Sequence, residues 1–399
     1  MMRLSRRQWL RGSSVAAASA FLGAGRQAAA APRARIEEMK VISREPEFYC
    51  GWPTLARRCN GQLLVAYSGG REGHVCPFGR VELVQSNDGG RTWLWPRVLM
   101  DTAIDDRDSG VVETAKGSIL VTTFTSLAYE SLLERAEKSP SSFNKDSWPQ
   151  PPERLDRWRA AHQRLTADER KSQLGVWMLR STDGGVSWSA PYRCLVNSPH
   201  GPIPLSDGRL LYAGKALWEA SLDDAKNRVG FAESIDDGVT WRWLADLPVR
   251  PGDTAGQYHE LHAVEAADGR LIAQIRNHNR ANEAETLQSE SSDGGKTWSV
   301  PHPIGVWGLP SHLLRLKDGR LLMTYGHRRE PLGNQARVSG DHGRTWSGPI
   351  IISGDGTNPD LGYPSTVQLD DGSLVSVWYE VVKQFPRAVL RQARWSLEG

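Results

Sequence analysis

Two sets of residues recur in phase along this 399-residue chain and hold most of the groups able to do chemistry. Six short Gly-x-Leu segments (Ile in one) begin at Gly61, Gly117, Gly208, Gly269, Gly319 and Gly372. Upstream of them stand Trp52, then Asp106-Arg107-Asp108, His200, Tyr258-His259-Glu260 with His262, His312 and Tyr363. Seven to ten residues downstream stand Arg71 (with His74 three residues further on), Ser126, Lys215, Arg276 with His278, His327-Arg328-Arg329, and Glu380. Ordinary strand ends would supply Val, Thr and Ser. Here they supply His, Glu and Asp, which move protons, and Arg and Lys, which hold anions. Groups of this kind brought together must pair or meet a charged ligand, because an unpaired buried charge is strongly unfavourable.

The six segments also imply the elements that carry these residues. Each is a turn, Asn-Gly, Asp-Gly or Lys-Gly, followed by an apolar run, as in Asn60-Gly-Gln-Leu-Leu-Val and Asp318-Gly-Arg-Leu-Leu-Met. Asn-Gly or Asp-Gly between β-rich runs is the strongest local hairpin signal. A second motif, Ser-x-Asp-x-Gly-x-Ser/Thr-Trp, occurs five times: SNDGGRTW at 86–93, STDGGVSW at 181–188, SIDDGVTW at 234–241, SSDGGKTW at 291–298 and SGDHGRTW at 339–346. Its Asp folds onto nearby backbone N–H groups, its Gly supplies positive φ, and its Trp pins the turn. Six units of about 50 residues, each with room for four strands, predict an all-β, six-bladed β-propeller. Ring closure requires residues 36–43 to pair with 388–395, since an open ring would leave strand edges bare. An insertion at 127–172 in the second blade has helical apolar spacing at 126–138 and 153–162. It reads either as a solvated excursion or as a lid over the central pocket.

The five Ser-x-Asp motifs are the Asp-box, or BNR repeat, pattern, and the chain resembles the sialidase-like β-propellers through nearly all of residues 36–399. Tyr363-Pro-Ser-Thr-Val-Gln-Leu-Asp-Asp-Gly-Ser-Leu-Val-Ser-Val-Trp-Tyr-Glu380 is similar to that family's nucleophilic tyrosine strand and its terminal glutamate. Glu260-Leu-His-Ala-Val-Glu, with Arg276 beyond it, resembles the segment holding the glutamate base and a carboxylate-binding arginine. The resemblance implies that Glu260 deprotonates Tyr363, which attacks an anomeric carbon. A phenol needs an adjacent base, and a neutral nucleophile does not repel an anionic substrate. Arg328 or Arg337, with Arg329 as another choice, would complete the anion clamp, and Glu380 would position an arginine. The chain departs from the family at Cys50-Gly-Trp-Pro-Thr-Leu55, where sialidases carry an arginine. In Arg71-Glu-Gly-His74 no aspartate stands for the general acid. His74 is the candidate acid, with Glu72, Asp106 and Asp108 as alternatives. Arg71, Asp108, Lys215, His262, His278, His312 and His327 are expected substrate contacts.

The expected activity is that of an exo-glycosidase releasing a terminal, acidic sugar. Seven of the ten histidines fall in the in-phase set, which also fits a propeller polysaccharide lyase or a His-dependent glycosidase on uronate- or rhamnose-containing glycans. A glycan-binding propeller without catalysis is the third reading. Histidines from different blades fix no ligand geometry, so neither metal nor cofactor is assigned.

Sixteen Trp and 39 Gly suit an all-β repeat protein, and a net charge of +3 with no basic run gives no reason to expect nucleic acid. The start, Ser5-Arg-Arg-Gln-Trp-Leu-Arg11, then a small apolar run and Ala-x-Ala near 28–31, resembles a twin-arginine export leader. Residues 1–31 would be that leader and 36–399 the propeller, working in the periplasm or outside the cell as a monomer with no membrane span. Cys50, Cys59, Cys76 and Cys194 lack metal spacing and read as buried small residues, with a disulfide as the alternative in an oxidising compartment.

Overall fold

The computed structural model describes residues 31–139, 151–217 and 228–399. The leader expected over residues 1–31, Ala31 excepted, and residues 140–150 of the insertion lie outside the described residues. Six four-stranded antiparallel sheets account for the strands, each running from an inner strand outward. The inner strands are Tyr49–Arg57, Asp105–Glu113, Ile203–Pro204, Tyr258–Glu265, Ser311–Arg315 and Leu361–Gln368. This is the predicted six-bladed propeller.

All six predicted hairpins join an inner strand to the next, with their glycines at φ between 82° and 88°. Side chains with a Cβ are strained there. At five of the six turns the preceding Asn or Asp closes the loop, as Asp318 Oδ1 does by accepting the Arg320 N–H at 3.0 Å. Closure falls where ring topology requires it. Strand Arg33–Val41 pairs with Ala388–Glu398 from Arg33↔Glu398 to Val41↔Arg391, and so forms the outer edge of the sixth blade.

A blade has no core of its own, because its buried faces are covered only by its neighbours. Six apolar clusters follow, one for each adjacent pair of blades around the ring. The five Asp-boxes sit at the turns before the outermost strands and strengthen these contacts. In the fourth blade, Ser291 Oγ donates to Asp293 at 2.8 Å and Asp293 accepts the Thr297 N–H and hydroxyl at 3.0 and 2.6 Å. Trp298 then stacks on Phe231 of the third blade, ring centroids 3.7 Å apart. The boxes are scaffold.

The insertion leaves the second blade after Ile119–Ser126 and forms α1 (Ala128–Lys138), α2 (Pro151–Gln163) and α3 (Ala167–Ser172). The first two match the sequence reading. The third was missed there, although Thr166 and Glu169 form a capping box, Thr-x-x-Glu, that marks its start. Tyr129, Leu133, Ala136, Leu155 and Trp158 build a seventh apolar cluster around Cys76 and Ile104. The four cysteines are free thiols, and Cys59 is exposed at a hairpin, contrary to the expectation that all are buried.

Candidate active site

Four inner strands carry a non-glycine residue in left-handed backbone where their register slips: Trp52 (φ 53°), Asp108 (47°), Glu260 (40°) and Tyr363 (53°). A β-bulge re-aims a side chain that regular alternation would send into an inter-blade core. The bulge at Tyr363 depends on Gly362, which lies against Gly326 so closely that a Cβ on Gly362 would come 3.0 Å from the Gly326 Cα. Tyr363 thereby reaches Glu260 across the ring, its hydroxyl donating to Oε1 at 2.5 Å. Arg276, on the neighbouring strand of Glu260, donates Nη1 to Glu260 Oε2 at 2.6 Å and to the Tyr363 oxygen at 3.1 Å. Its Nε donates to His278 Nε2 at 2.8 Å.

The electrostatics of this triad keep the proton on tyrosine. Burial pushes the Tyr363 phenol well above its usual range and the Glu260 charge adds to that, while Arg276 opposes. Burial alone would also raise Glu260, but Arg276, the Tyr363 hydroxyl and Arg328 hold it below the ordinary carboxylate range. Proton transfer from phenol to carboxylate is therefore uphill at rest. Such a transfer would become favourable only if the phenol oxygen formed a new bond, and Arg276 is placed to stabilise the charge that would then develop.

Arg328 completes a two-arginine face. Its Nε donates to the Leu361 carbonyl at 3.0 Å, its Cζ lies 5.9 Å from the Tyr363 ring centroid, and its Nη atoms have no partner among the described residues. Other residues expected at the site lie elsewhere. Arg71 is fully buried, bidentate to Asp105 at 2.6 and 2.9 Å, with its remaining donors on Ser68 Oγ and the carbonyls of Gly73, His74 and Asp106. It has no donor left for a ligand. Arg337 is on the third strand of the fifth blade, bonded to the Tyr325 hydroxyl and the Ser347 carbonyl, away from the axis. Glu380 points to the opposite face of its strand from Tyr379 and binds Trp378 Nε1 and Arg391 at 2.6 and 2.5 Å, so it positions no clamp arginine. Glu72 and Asp106 are likewise withdrawn as acids. Glu72 is buried beneath α2, and Asp106 caps a turn by accepting the Thr102 N–H and hydroxyl at 2.7 and 2.9 Å.

Two acid candidates remain in the cleft. His74 is half exposed, its Nδ1 3.0 Å from both Asp360 Oδ1 and the Tyr49 hydroxyl, and its Nε2 has no partner among the described residues. Asp360 also accepts from Tyr49 and Tyr379 at 3.0 and 2.9 Å. Burial raises its pKa, but His74 and the two tyrosines hold it below the usual value. Asp360, Tyr49 and Tyr379 were not identified from sequence. Tyr379 is the immediate neighbour of Glu380, and choosing the latter chose the wrong face of the strand. Asp360 lies three residues before Tyr363, outside the windows set by the hairpins. Asp108 lies deeper, 7% exposed, with Oδ1 unbonded. Burial, with Glu260 adding its charge, lifts its pKa to about 7 against the pull of Arg107 and Arg71.

The remaining residues form two groups. Lys215 donates to the Gly256 carbonyl at 2.8 Å and is held below its usual pKa by burial. Beside it His259, pushed down to about 4 by burial and by Lys215, packs on His278, ring centroids 4.8 Å apart. His327, lowered by burial and Arg329, stands at the rim. His262 and His312 are buried on the axis, stacked at 4.5 Å, with His200 at 5.4 and 5.1 Å from them. His262 Nδ1 accepts the Leu313 N–H, and burial holds all three imidazoles neutral. They line a cavity of about 370 Å³ together with the hairpin ends of the inner strands, and Tyr363, Glu260 and Arg276 are not part of its lining. Among the described residues, no three His, Cys, Asp or Glu side chains are disposed to share a metal ion.

Residues 159–376, more than half of the chain, match the model of the BNR repeat-like domain. A sialidase of Micromonospora viridifaciens is 27% identical over 208 residues, 45% of this chain and 32% of that protein. A xyloglucanase of a Paenibacillus species is 30% identical over 173 residues, 38% of this chain and 16% of that protein. The chain thus spans a third or less of the length of these relatives. Among solved structures, a Dyadobacter fermentans protein of unknown function superposes with TM-score 0.71 at 23% identity, covering 92% of this chain and 99% of that one. A Hadza microbial sialidase gives 0.61 at 17%, covering 86% and 65%. The leech intramolecular trans-sialidase gives 0.56 at 14%, covering 92% and 70%. At these identities the likeness is one of fold. No helix among the described residues is long and apolar enough to cross a membrane.

Proposed function

We propose that this chain, which belongs to the BNR repeat-like domain family, is a glycoside hydrolase that removes a terminal acidic sugar from a glycan. The observation that carries the reading is the Tyr363–Glu260 hydrogen bond at 2.5 Å, bridged on both sides by Arg276. In the first step the Tyr363 oxygen forms a bond to the anomeric carbon while its proton passes to Glu260. The bond to the leaving oxygen breaks, and that oxygen takes a proton from the acid. Water then cleaves the glycosyl-tyrosine, giving its proton to the conjugate base of the acid, while Glu260 returns its proton to Tyr363. The configuration is retained overall. Tyrosine nucleophiles are a known exception to the two-carboxylate scheme.

His74 fits the acid better than Asp108 because the leaving group of an exo-acting enzyme is the rest of the glycan, which must project into solvent. His74 is at the cleft mouth, oriented through Nδ1 by Asp360, with Nε2 open toward the leaving group. Asp108, deep on the axis, is placed to bond sugar hydroxyls. Arg276 and Arg328 form the anion clamp. Trp52 fills the place of the family's first arginine and is covered by the guanidinium groups of Arg107 and Arg71 at 4.4 and 4.9 Å. A clamp of two arginines favours an acidic sugar with fewer carboxylate contacts than sialic acid receives from three. The same reading has the enzyme exported by a twin-arginine-type leader and active as a monomer.

The test is to incubate the purified protein with sialosides and with glycans ending in uronic acids. Released reducing sugar supports hydrolysis. An ultraviolet-absorbing unsaturated uronate would replace it with elimination, and release of no product from any of them would favour a glycan-binding role.

A further inference from the structure

We propose that the helical insertion of the second blade is a buttress that sets the position of His74, with Glu72 and Trp158 as the positioning pair. The inference rests on the assignment of His74 as acid and gives the insertion a role other than that of a lid.

His74 is carried by the loop between strands Leu63–Arg71 and Arg80–Ser86. On the propeller side Arg71 holds this loop by donating to the Gly73 and His74 carbonyls at 3.3 and 3.0 Å. On the other side the loop turns Glu72 into the insertion, where its carboxylate is fully buried. Trp158 Nε1 donates to Oε2 at 2.8 Å, Arg157 Nη2 stands 2.9 Å from Oε1, and Arg154 Nε is 3.6 Å from Oε2. These three come from α2, while Arg387 of the sixth blade donates to the Glu72 carbonyl and adds its charge nearby. Cys76, two residues past His74, is fully buried against Tyr129, Leu133 and Ala136 of α1 and Leu155 and Trp158 of α2. Its Sγ also accepts the backbone N–H groups of Glu72 and Phe78 at 3.4 and 3.3 Å. His74 has no hydrogen bond or ring contact to the insertion among the described residues, so any influence must pass through the loop. A buried carboxylate deprived of its partners is strongly destabilised and moves toward water. Glu72 is two residues from His74, so that movement would displace the imidazole from Asp360.

The test uses the full-length protein with Glu72→Gln, which is isosteric, and Trp158→Phe, which keeps an aromatic ring and removes the Nε1–H. Arg159→Ala is the control, since Arg159 is on the exposed side of α2 and pairs with Glu137 instead. NMR titration of the His74 imidazole reads its environment without any substrate. The expected result is a His74 midpoint moved by about half a unit or more in both variants and unmoved in Arg159→Ala. An unchanged His74 titration in both variants would overturn the buttress. A second arm follows hydrolysis of 4-methylumbelliferyl glycosides against the same acidic sugar linked to lactose. His74→Ala should slow the lactose-linked substrate far more than the activated one, and Glu72→Gln should follow the same split. Loss of the split in His74→Ala overturns the acid assignment. A split in His74→Ala that is absent from Glu72→Gln overturns the buttress.

Discussion

Glu260 and Tyr363 lie on the inner strands of the fourth and sixth blades, and each reaches the other from left-handed backbone, φ 40° and 53°, at a slip in strand register. Such backbone costs on the order of 1–3 kcal/mol per residue and persists only where surrounding contacts over-determine it. Here that strain accompanies a phenol, a carboxylate and a guanidinium joined in one hydrogen-bonded unit.

Groups acting as a unit should not have additive effects. Glu260→Gln is expected to lower kcat by about 10²- to 10⁴-fold, the range for loss of a general base. Tyr363→Phe should lower it at least as far, and the double variant should be no worse than Tyr363→Phe alone. Full activity in Tyr363→Phe would remove the nucleophile from the scheme.

The two arginines should separate kinetically. Arg328 contacts no catalytic oxygen, so Arg328→Lys should raise KM for an acidic substrate by roughly 10- to 100-fold with little change in kcat, as for loss of a hydrogen bond to a charged group at about 1.5–3 kcal/mol. Arg276 touches both Glu260 and Tyr363, so Arg276→Lys should lower kcat as well. Steady-state kinetics of the two variants on one substrate make the comparison.

The fold was legible because its signals are local. An Asp-Gly or Asn-Gly turn needs only its own four residues, and the Asp-box closes on itself through Asp293 and Thr297. The phase set by these turns singled out Glu260, Tyr363, Arg276 and Arg328, which lie at strand ends and come together near the axis. It failed where side-chain direction decides. Tyr379 and Glu380 are adjacent yet face opposite ways, and only the register of the sheet tells them apart. Arg71 failed for another reason. Whether a guanidinium meets a ligand or a buried Asp105 depends on the approach of Gly79, where a Cβ would come 2.1 Å from Arg71 Nη1.

The axial histidines should make folding sensitive to acid. Burial holds His312 at about 3 and His200 and His262 well below the usual imidazole range. Below about pH 6.5 the unfolded chain takes up protons that the folded chain refuses, so stability falls from there until the folded pKa is reached, by up to about 1.4 kcal/mol per pH unit for each imidazole. Asp106 and Asp108, raised mainly by burial to about 8 and about 7, act in the opposite sense, binding protons in the folded state first as pH falls. A difference between two proteins cancels them. His312→Leu should lose less stability than the parent between pH 6.5 and 4 in urea denaturation. Parallel curves would show that His312 is not neutral in the folded state.

Asp-box variants should affect the scaffold alone. Asp341 accepts the Thr345 N–H and hydroxyl at 2.9 and 2.6 Å, far from the axis. Asp341→Ala should lower Tm in a thermal melt and leave kcat unchanged at a temperature where both proteins are folded.

The covalent intermediate is the most direct test of the chemistry. The protein should be treated with 2,3-difluorosialic acid and with a 2-fluoro uronosyl fluoride, then digested and examined by mass spectrometry. In such reagents the fluorine slows breakdown of the glycosyl-enzyme. The expected result is one glycosyl adduct on the peptide containing Tyr363, formed with loss of activity and absent from Tyr363→Phe. Turnover of an acidic glycoside by a protein in which the adduct never forms on Tyr363, or forms on a different residue, would contradict it.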